Sequence, residues 1–192
     1  MRAAQLCLNS MELWQSANRE RLFMWYVVQV LGGQEKQTLD LIMRLKGGGA
    51  LADAFIPQRE VMRHESGEWV RRRENLFPGY VFVDTRMPDE LFAQLVTVPA
   101  FTRLLGSENT FIPLSNEEQA IVQALVGDSH VVEISEGIIE GGEVRILTGP
   151  LRDRDATIVK IDRHKRCAYV HVSMLGREVD IKLGLDIVCK PA

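Results

Sequence analysis

From Trp25 onward the hydrophobic and polar positions fall into regular units. Trp25–Leu31 is a run of β-forming residues closed by Gly32-Gly33, and it predicts a strand. Gln34 to Lys46 comes next, with Leu39, Leu41, Ile42 and Leu45 approximating one buried stripe. That spacing predicts a helix, stopped by Gly47-Gly48-Gly49. Ala54-Phe55-Ile56-Pro57 opens a second strand. Val61-Met62-Arg63 and Trp69-Val70-Arg71 then flank His64–Glu68, a loop with hairpin chemistry. Gly79–Val83 predicts a long strand, Leu91–Val96 a helix, Phe101–Leu105 a strand and Ser115–Leu125 a helix. Ser115 and Glu118 at the start of that last helix have the capping-box spacing Ser-x-x-Glu. From Glu143 the runs become short alternating strands, broken by a Gly149-Pro150 turn and by the basic turn Asp162-Arg163-His164-Lys165-Arg166.

This order implies an α+β chain. Residues 24–126 form an α/β sandwich with helices against one sheet, and residues 142–192 form a small β-barrel module that is marginal alone. Between them, residues 127–141 lose the pattern, have glycines and glutamates, and are expected to be a linker. Residues 1–23 fit poorly with the regular pattern that begins at Trp25. They are expected to be a mobile extension, with Met24 as the natural start or the leader an adventitious addition.

Composition narrows the function classes. Net charge is -3 overall. The average hides an asymmetry, since residues 141–192 carry ten Lys/Arg against seven Asp/Glu. Cys7, Cys167 and Cys189 are odd in number and lack CxxC spacing, which argues against a disulfide framework or zinc ribbon and fits a reducing cytoplasm. Cys167 and His171 lie four apart without a second ligand pair, so no metal is expected. No apolar run approaches the roughly 20 residues that cross a bilayer. The four histidines stand beside no nucleophile motif, and there is neither a P-loop nor a GxGxxG; an enzyme and a cofactor are not expected.

One strand carries a sharper signal. In Gly79–Val83, Tyr80 and Phe82 share one face while Val81 and Val83 share the other, so both faces are apolar. Only one can pack on the helices of a two-layer domain. The other must meet a loop, another sheet or a partner, and clustered aromatics are favoured where partners dock.

WYVVQV at Trp25, LFPGYVFVD at Leu76 and EVRILTGPLRDRDATIVKID at Glu143 resemble, in order and spacing, the two halves of the NusG family of transcription elongation factors. The first two resemble its N-terminal domain and the third its KOW domain, spanning Met24 to Lys190. FIPQREVMR, VVEISEGIIEGG and IDRHKR look most like the specialised LoaP-type antiterminators. The resemblance implies a cytoplasmic, monomeric factor riding on RNA polymerase. Leu76, Phe77, Tyr80 and Phe82 would dock on the polymerase clamp helices, and the segment from Thr97 to Thr110 would lie near non-template DNA. Arg71-Arg72-Arg73 is a stronger cationic run, open to reading as a solvated hairpin edge.

Two readings of the KOW module stay open. Met174, Leu175 and Arg177 hold the position of a protein-binding loop for the ribosomal protein S10 or the termination factor Rho. Arg152, Arg154, Lys160, Arg163, Lys165 and Arg166 would instead hold the phosphates of an RNA hairpin, a ligand read mainly through backbone and shape. Asp153, Asp155 and Asp162 interleave with these cations and weaken a non-specific grip. A ribosome-associated KOW protein is a further alternative. Ala156 stands where KOW motifs carry glycine, which places strain on that turn if it needs φ > 0. Reversing the charge of Arg163, Lys165 and Arg166 together is expected to abolish structure-selective RNA binding. Unchanged affinity with an unchanged salt slope in a filter-binding titration would refute that reading.

Overall fold

The computed structural model describes residues 24–97, 111–153 and 157–188. The N-terminal extension, the Phe101–Leu105 strand, most of the non-template DNA segment, Arg154 and Ala156 therefore lie outside the described residues.

The first unit is a four-stranded sheet. Its strands are β1 (Met24–Gln29), β2 (Leu51–Phe55), β5 (Tyr80–Thr85) and β6 (Phe111–Pro113), in the order β2-β5-β1-β6. β1 lies antiparallel to β5 with Val27 opposite Phe82 and Val28 opposite Val81. This register sorts the apolar residues into two sets, because opposed residues share a face. Val28, Val30, Val81 and Val83 meet α1 (Glu35–Met43) and α2 (Pro88–Val96) through Ile42, Leu91 and Leu95. Trp25, Val27, Phe55 and Phe82 point the other way, towards Val122, Leu125 and Val126 of α3 (Asn116–Val126).

α3 begins as its sequence predicts. The Ser115 hydroxyl accepts the Glu118 N–H at 3.2 Å, and the Glu118 carboxylate accepts the Ser115 N–H at 2.8 Å. Two amide donors that a helix start leaves unpaired are thereby satisfied. The hairpin of β3 (Gln58–Glu65) and β4 (Glu68–Asn75) turns through Ser66 and Gly67, both with positive φ, as a two-residue turn matched to strand twist requires.

The segment expected as a linker carries two strands. β7 (Val131–Val132) pairs parallel with β3, and β8 (Ser135–Glu140) pairs parallel with the last strand. Their apolar residues include Val132 and Ile138, both buried; Gly127 and Gly141 mark the segment's ends, whereas Gly137 is buried within β8, against the Arg145 backbone. The second unit is a five-stranded sheet of β8, β9 (Glu143–Thr148), β10 (Ile158–Asp162), β11 (Cys167–Met174) and β12 (Arg177–Ile187), ordered β10-β11-β12-β8-β9. Leu151, Ala168, Val170, Val172, Ile181, Leu183 and Leu185 are among its buried side chains.

The two units share one hydrophobic cluster. Trp25, Phe55, Leu76, Phe77 and Phe82 from the first belong to the same buried group as Met174, Ile181, Leu183 and Leu185 from the second. β12 runs beside β3, and Gly184 lies at a close approach between them. A Cβ at this position would lie 2.5 Å from the Glu60 carbonyl oxygen and 2.8 Å from Ile134 Cγ1. Backbone cannot yield as a flexible side chain does, so Gly184→Ala is expected to push the units apart. The expected cost, about 1–3 kcal/mol, is that of overpacking. Hydrogen exchange should show β3 and β12 losing protection first; unchanged protection at both would contradict the packing.

Candidate functional site

The Phe77–Phe82 segment is built by local constraints. Glu35, in the first turn of α1, is buried and its carboxylate accepts the Gly79 N–H at 2.7 Å. Gly79 has φ of 85°, and its carbonyl accepts the Val30 N–H at 2.8 Å. This pins the Pro78-Gly79 turn so that Phe77 precedes it and Tyr80 comes after it on β5. The rings of Phe77 and Phe82 lie 5.8 Å apart and nearly parallel. Phe55 stands 5.6 Å from Phe82, and Trp25 meets both edge-on at 5.0 and 6.3 Å. The result is a continuous aromatic surface on the sheet face away from α1 and α2.

Leu76, Phe77 and Phe82 are 3%, 7% and 1% exposed, and Tyr80 is half-buried. What covers them is the chain itself. A cavity of about 310 Å³ runs along the seam, with Leu76, Phe77, Pro78, Tyr80 and Phe82 on one wall and Met174, Leu175, Val179 and Ile181 on the other. Met174 is buried and Leu175 half-buried. The polymerase-docking candidates and the protein-loop candidates read from the sequence thus line one seam, while Arg177 stays exposed at its rim.

Directional contacts hold the seam. Arg59 donates through Nη1 to the Lys182 carbonyl at 2.7 Å and through Nη2 to Glu74 at 3.3 Å. Glu118 uses one carboxylate oxygen for the Ser115 cap and the other for the Gly176 N–H at 3.3 Å. Burial pushes the Glu118 carboxyl upward, but the Ser115, Gly176 and Leu175 donors outweigh it and hold it below the usual range. Arg166 pairs with Asp186 at 2.9 Å, and its guanidinium lies 4.7 Å from the ring centre of Trp69 on the hairpin. His130 stacks flat on Phe55 at 3.7 Å, closing the far side of the aromatic surface.

The basic candidates divide. Arg163 and Lys160 are exposed, and exposed Lys165 reaches its neighbour Asp162 at 3.7 Å. Arg152 is exposed beside Asp153 at 3.6 Å. Arg166, unlike these, is drawn into the seam. The hairpin run Arg71-Arg72-Arg73 is exposed but paired, Arg71 and Arg73 with Glu60 and Arg72 with Glu65. Cys167 is buried, whereas His171 is exposed with Asp180 at 2.7 Å, so the pair does not converge. No group of His, Cys, Asp or Glu placed to hold a metal ion occurs among the described residues, and no described helix is long and apolar enough to cross a membrane.

Arg59, Trp69, Glu118, His130 and Gly184 are among the seam residues that sequence reasoning missed. Glu118 had a legible signal in its capping spacing, which said nothing of its second bond. The others look in sequence like ordinary hairpin, turn or strand residues.

Architecture and seam together define a two-unit α+β protein with an aromatic face that its own β module covers. Residues 23–123 match the family model described as transcription termination factor NusG. The chain is similar to the transcription termination/antitermination protein NusG of Thermus thermophilus, with 31% identity over 86% of this chain and 97% of that protein. Against the protein of the same description in Lactococcus lactis, identity is 31% over 84% of this chain and 89% of that one. A solved structure described as domain interaction in Thermotoga maritima NusG matches with a TM-score of 0.50 and 26% identity, covering 84% of this chain and 93% of that one. The chain belongs to the NusG family of transcription termination/antitermination factors.

Asp84 gives this site a pH signature. It shares the Tyr80–Phe82 face at the edge of the aromatic surface. Burial, then the nearby Asp53, pushes its carboxyl up to about 6 against the Trp25 hydrogen bond. A carboxyl raised this way penalises the folded state as pH climbs from the ordinary 3.8 through about 6. Asp84→Asn is therefore expected to stabilise the protein at pH 7 by on the order of 1 kcal/mol, after discounting for its half-exposed position. The gain should vanish below about pH 4. A thermal-denaturation series across pH checks it, and equal gains at acidic and neutral pH would contradict the assignment.

Proposed function

We propose that the chain is an elongation and antitermination factor of the cytoplasm. It binds RNA polymerase through Leu76, Phe77, Tyr80 and Phe82, and its KOW module engages a second partner, RNA. The carrying observation is that the second apolar face of the sheet is completed, beyond α3, by the β module from later in the chain. A face so covered becomes a docking surface once the module swings away, and its aromatic composition is that of an interaction hot spot. The clamp helices are the partner the family resemblance implies. In the closed arrangement this face is masked, so polymerase binding requires opening.

The choice of RNA over S10 or Rho rests on exposure. Met174 and Leu175, the protein-binding alternative, are buried or half-buried in the seam. Lys160, Arg163 and Lys165 remain in water. In the closed chain the basic turn is the partner-facing set already accessible, and long cations suit a phosphate backbone. S10 or Rho would gain its loop only after opening. Within the family, the basic IDRHKR turn supports placement with the LoaP-type paralogues.

Tyr80→Ala, a half-buried position whose loss leaves the core standing, is expected to weaken binding to RNA polymerase by about thirty-fold, as hot-spot truncation does. Co-sedimentation with polymerase core enzyme measures it. Wild-type affinity in the variant would overturn the docking face, and co-purification with ribosomes but not polymerase would favour the ribosome-associated alternative.

A further inference from the structure

Arg166 stands at two places at once. It closes the basic turn, its N–H donating to the Arg163 carbonyl at 3.3 Å, with Arg163 and Lys165 exposed beside it. It also lies over Trp69 of the other unit, tied to Asp186. A guanidinium on a tryptophan face is held by the ring quadrupole, an attraction that grows as water is excluded. The hairpin end bearing Trp69 also carries Glu65 and Glu68, paired across the turn. Arg72 pairs with Glu65 there, so an RNA helix seeking Arg163, Lys165 and Arg166 together meets a charge-paired hairpin end whose Trp69 holds Arg166.

We propose that phosphates of a structured RNA compete with Trp69 for Arg166, so that RNA binding at the basic turn releases the KOW module from the aromatic face. The inference rests on the RNA reading of the basic turn and adds its regulation. The coupling runs both ways: what weakens the contact from the Trp69 side, leaving Arg166 in place, must strengthen RNA binding, and RNA must favour the open chain by the same factor. Arg166 thereby becomes both a contact for RNA and the sensor of its arrival. Glu118 and Arg59 hold other parts of the seam and touch none of the basic turn, so they set how far the closed form is favoured without reading the ligand.

The test uses the full chain with 5-fluorotryptophan and an RNA hairpin of mixed sequence, about two helical turns long, at low salt. Trp14, Trp25 and Trp69 give three fluorine resonances, assigned by single Trp→Phe variants. RNA is expected to move the Trp69 resonance to its position in Arg166→Ala. Trp69→Ala leaves every cation of the turn in place and is expected to tighten RNA binding about five-fold or more, within the usual range of coupling. Glu118→Ala, which loosens the seam away from the turn, is expected to tighten it in the same direction. RNA bound with an unmoved Trp69 resonance and equal affinity in Trp69→Ala would overturn the coupling and leave the RNA reading standing. Absence of RNA binding in the wild type and in both loosened variants would overturn the RNA reading, and the coupling with it.

Discussion

A sheet apolar on both faces needs two covers, and everything distinctive about this protein depends on how the second is supplied. One face of the N-terminal sheet is sealed by α1 and α2 through Ile42, Leu91 and Leu95. The other presents Trp25, Phe55, Phe77 and Phe82, and only part of it meets α3. The rest is closed by a module that arrives late in the chain. Returning one large apolar side chain to water costs roughly 1.5–3 kcal/mol. Exposing several at once is thus uphill unless a partner replaces the module. On the proposed function, closure and docking are alternative solutions to one burial problem.

The polar contacts refine this rather than drive it. Arg59 reaches a main-chain carbonyl, Glu118 a main-chain amide and Arg166 a ring face. None of these three contacts across the seam is a pair of opposite charges, so none carries the desolvation cost of a buried ion pair. They fix orientation, while the aromatic cluster supplies area. The hairpin's other arginines, Arg63, Arg71, Arg72 and Arg73, pair instead with acids of the same hairpin, Glu60, Glu65 and Glu74. They lend that exposed strand a neutral, paired surface instead of a free cationic field.

Most strand and helix positions of the first unit were legible because their signals are local, whereas the three-residue β6 was not. Val81 and Val83 alternate with Tyr80 and Phe82, Ser115 caps with Glu118, and Ser66-Gly67 makes its turn from its own dihedrals. The two-sided character of β5 was legible too, together with the demand for a second cover. The identity of that cover was not, because nothing in the spacing of Met174 or Leu175 says which distant surface they meet. Residues 127–141 misled for a related reason: β7 and β8 are short and pair in parallel with strands far away in sequence, so no neighbouring turn announces them. Gly184 has an ordinary strand context, and its need for a bare backbone comes from Glu60, far earlier in the chain.

The strands within that segment also set a length. β7 ends at Val132 on the first unit and β8 starts at Ser135 in the second, leaving Glu133 and Ile134 between them. The three extended steps from Val132 to Ser135 span about 10 Å. While β7 holds to β3, the module is on a short leash: it can pivot about this point, but cannot travel. Reach to a distant ligand requires β7 to peel from β3, giving up pairing such as the 2.9 Å bond from the Gln58 N–H to the His130 carbonyl. On the proposed opening, the molecule would have two ranges of action, a near one set by a hinge and a far one set by a strand that lets go.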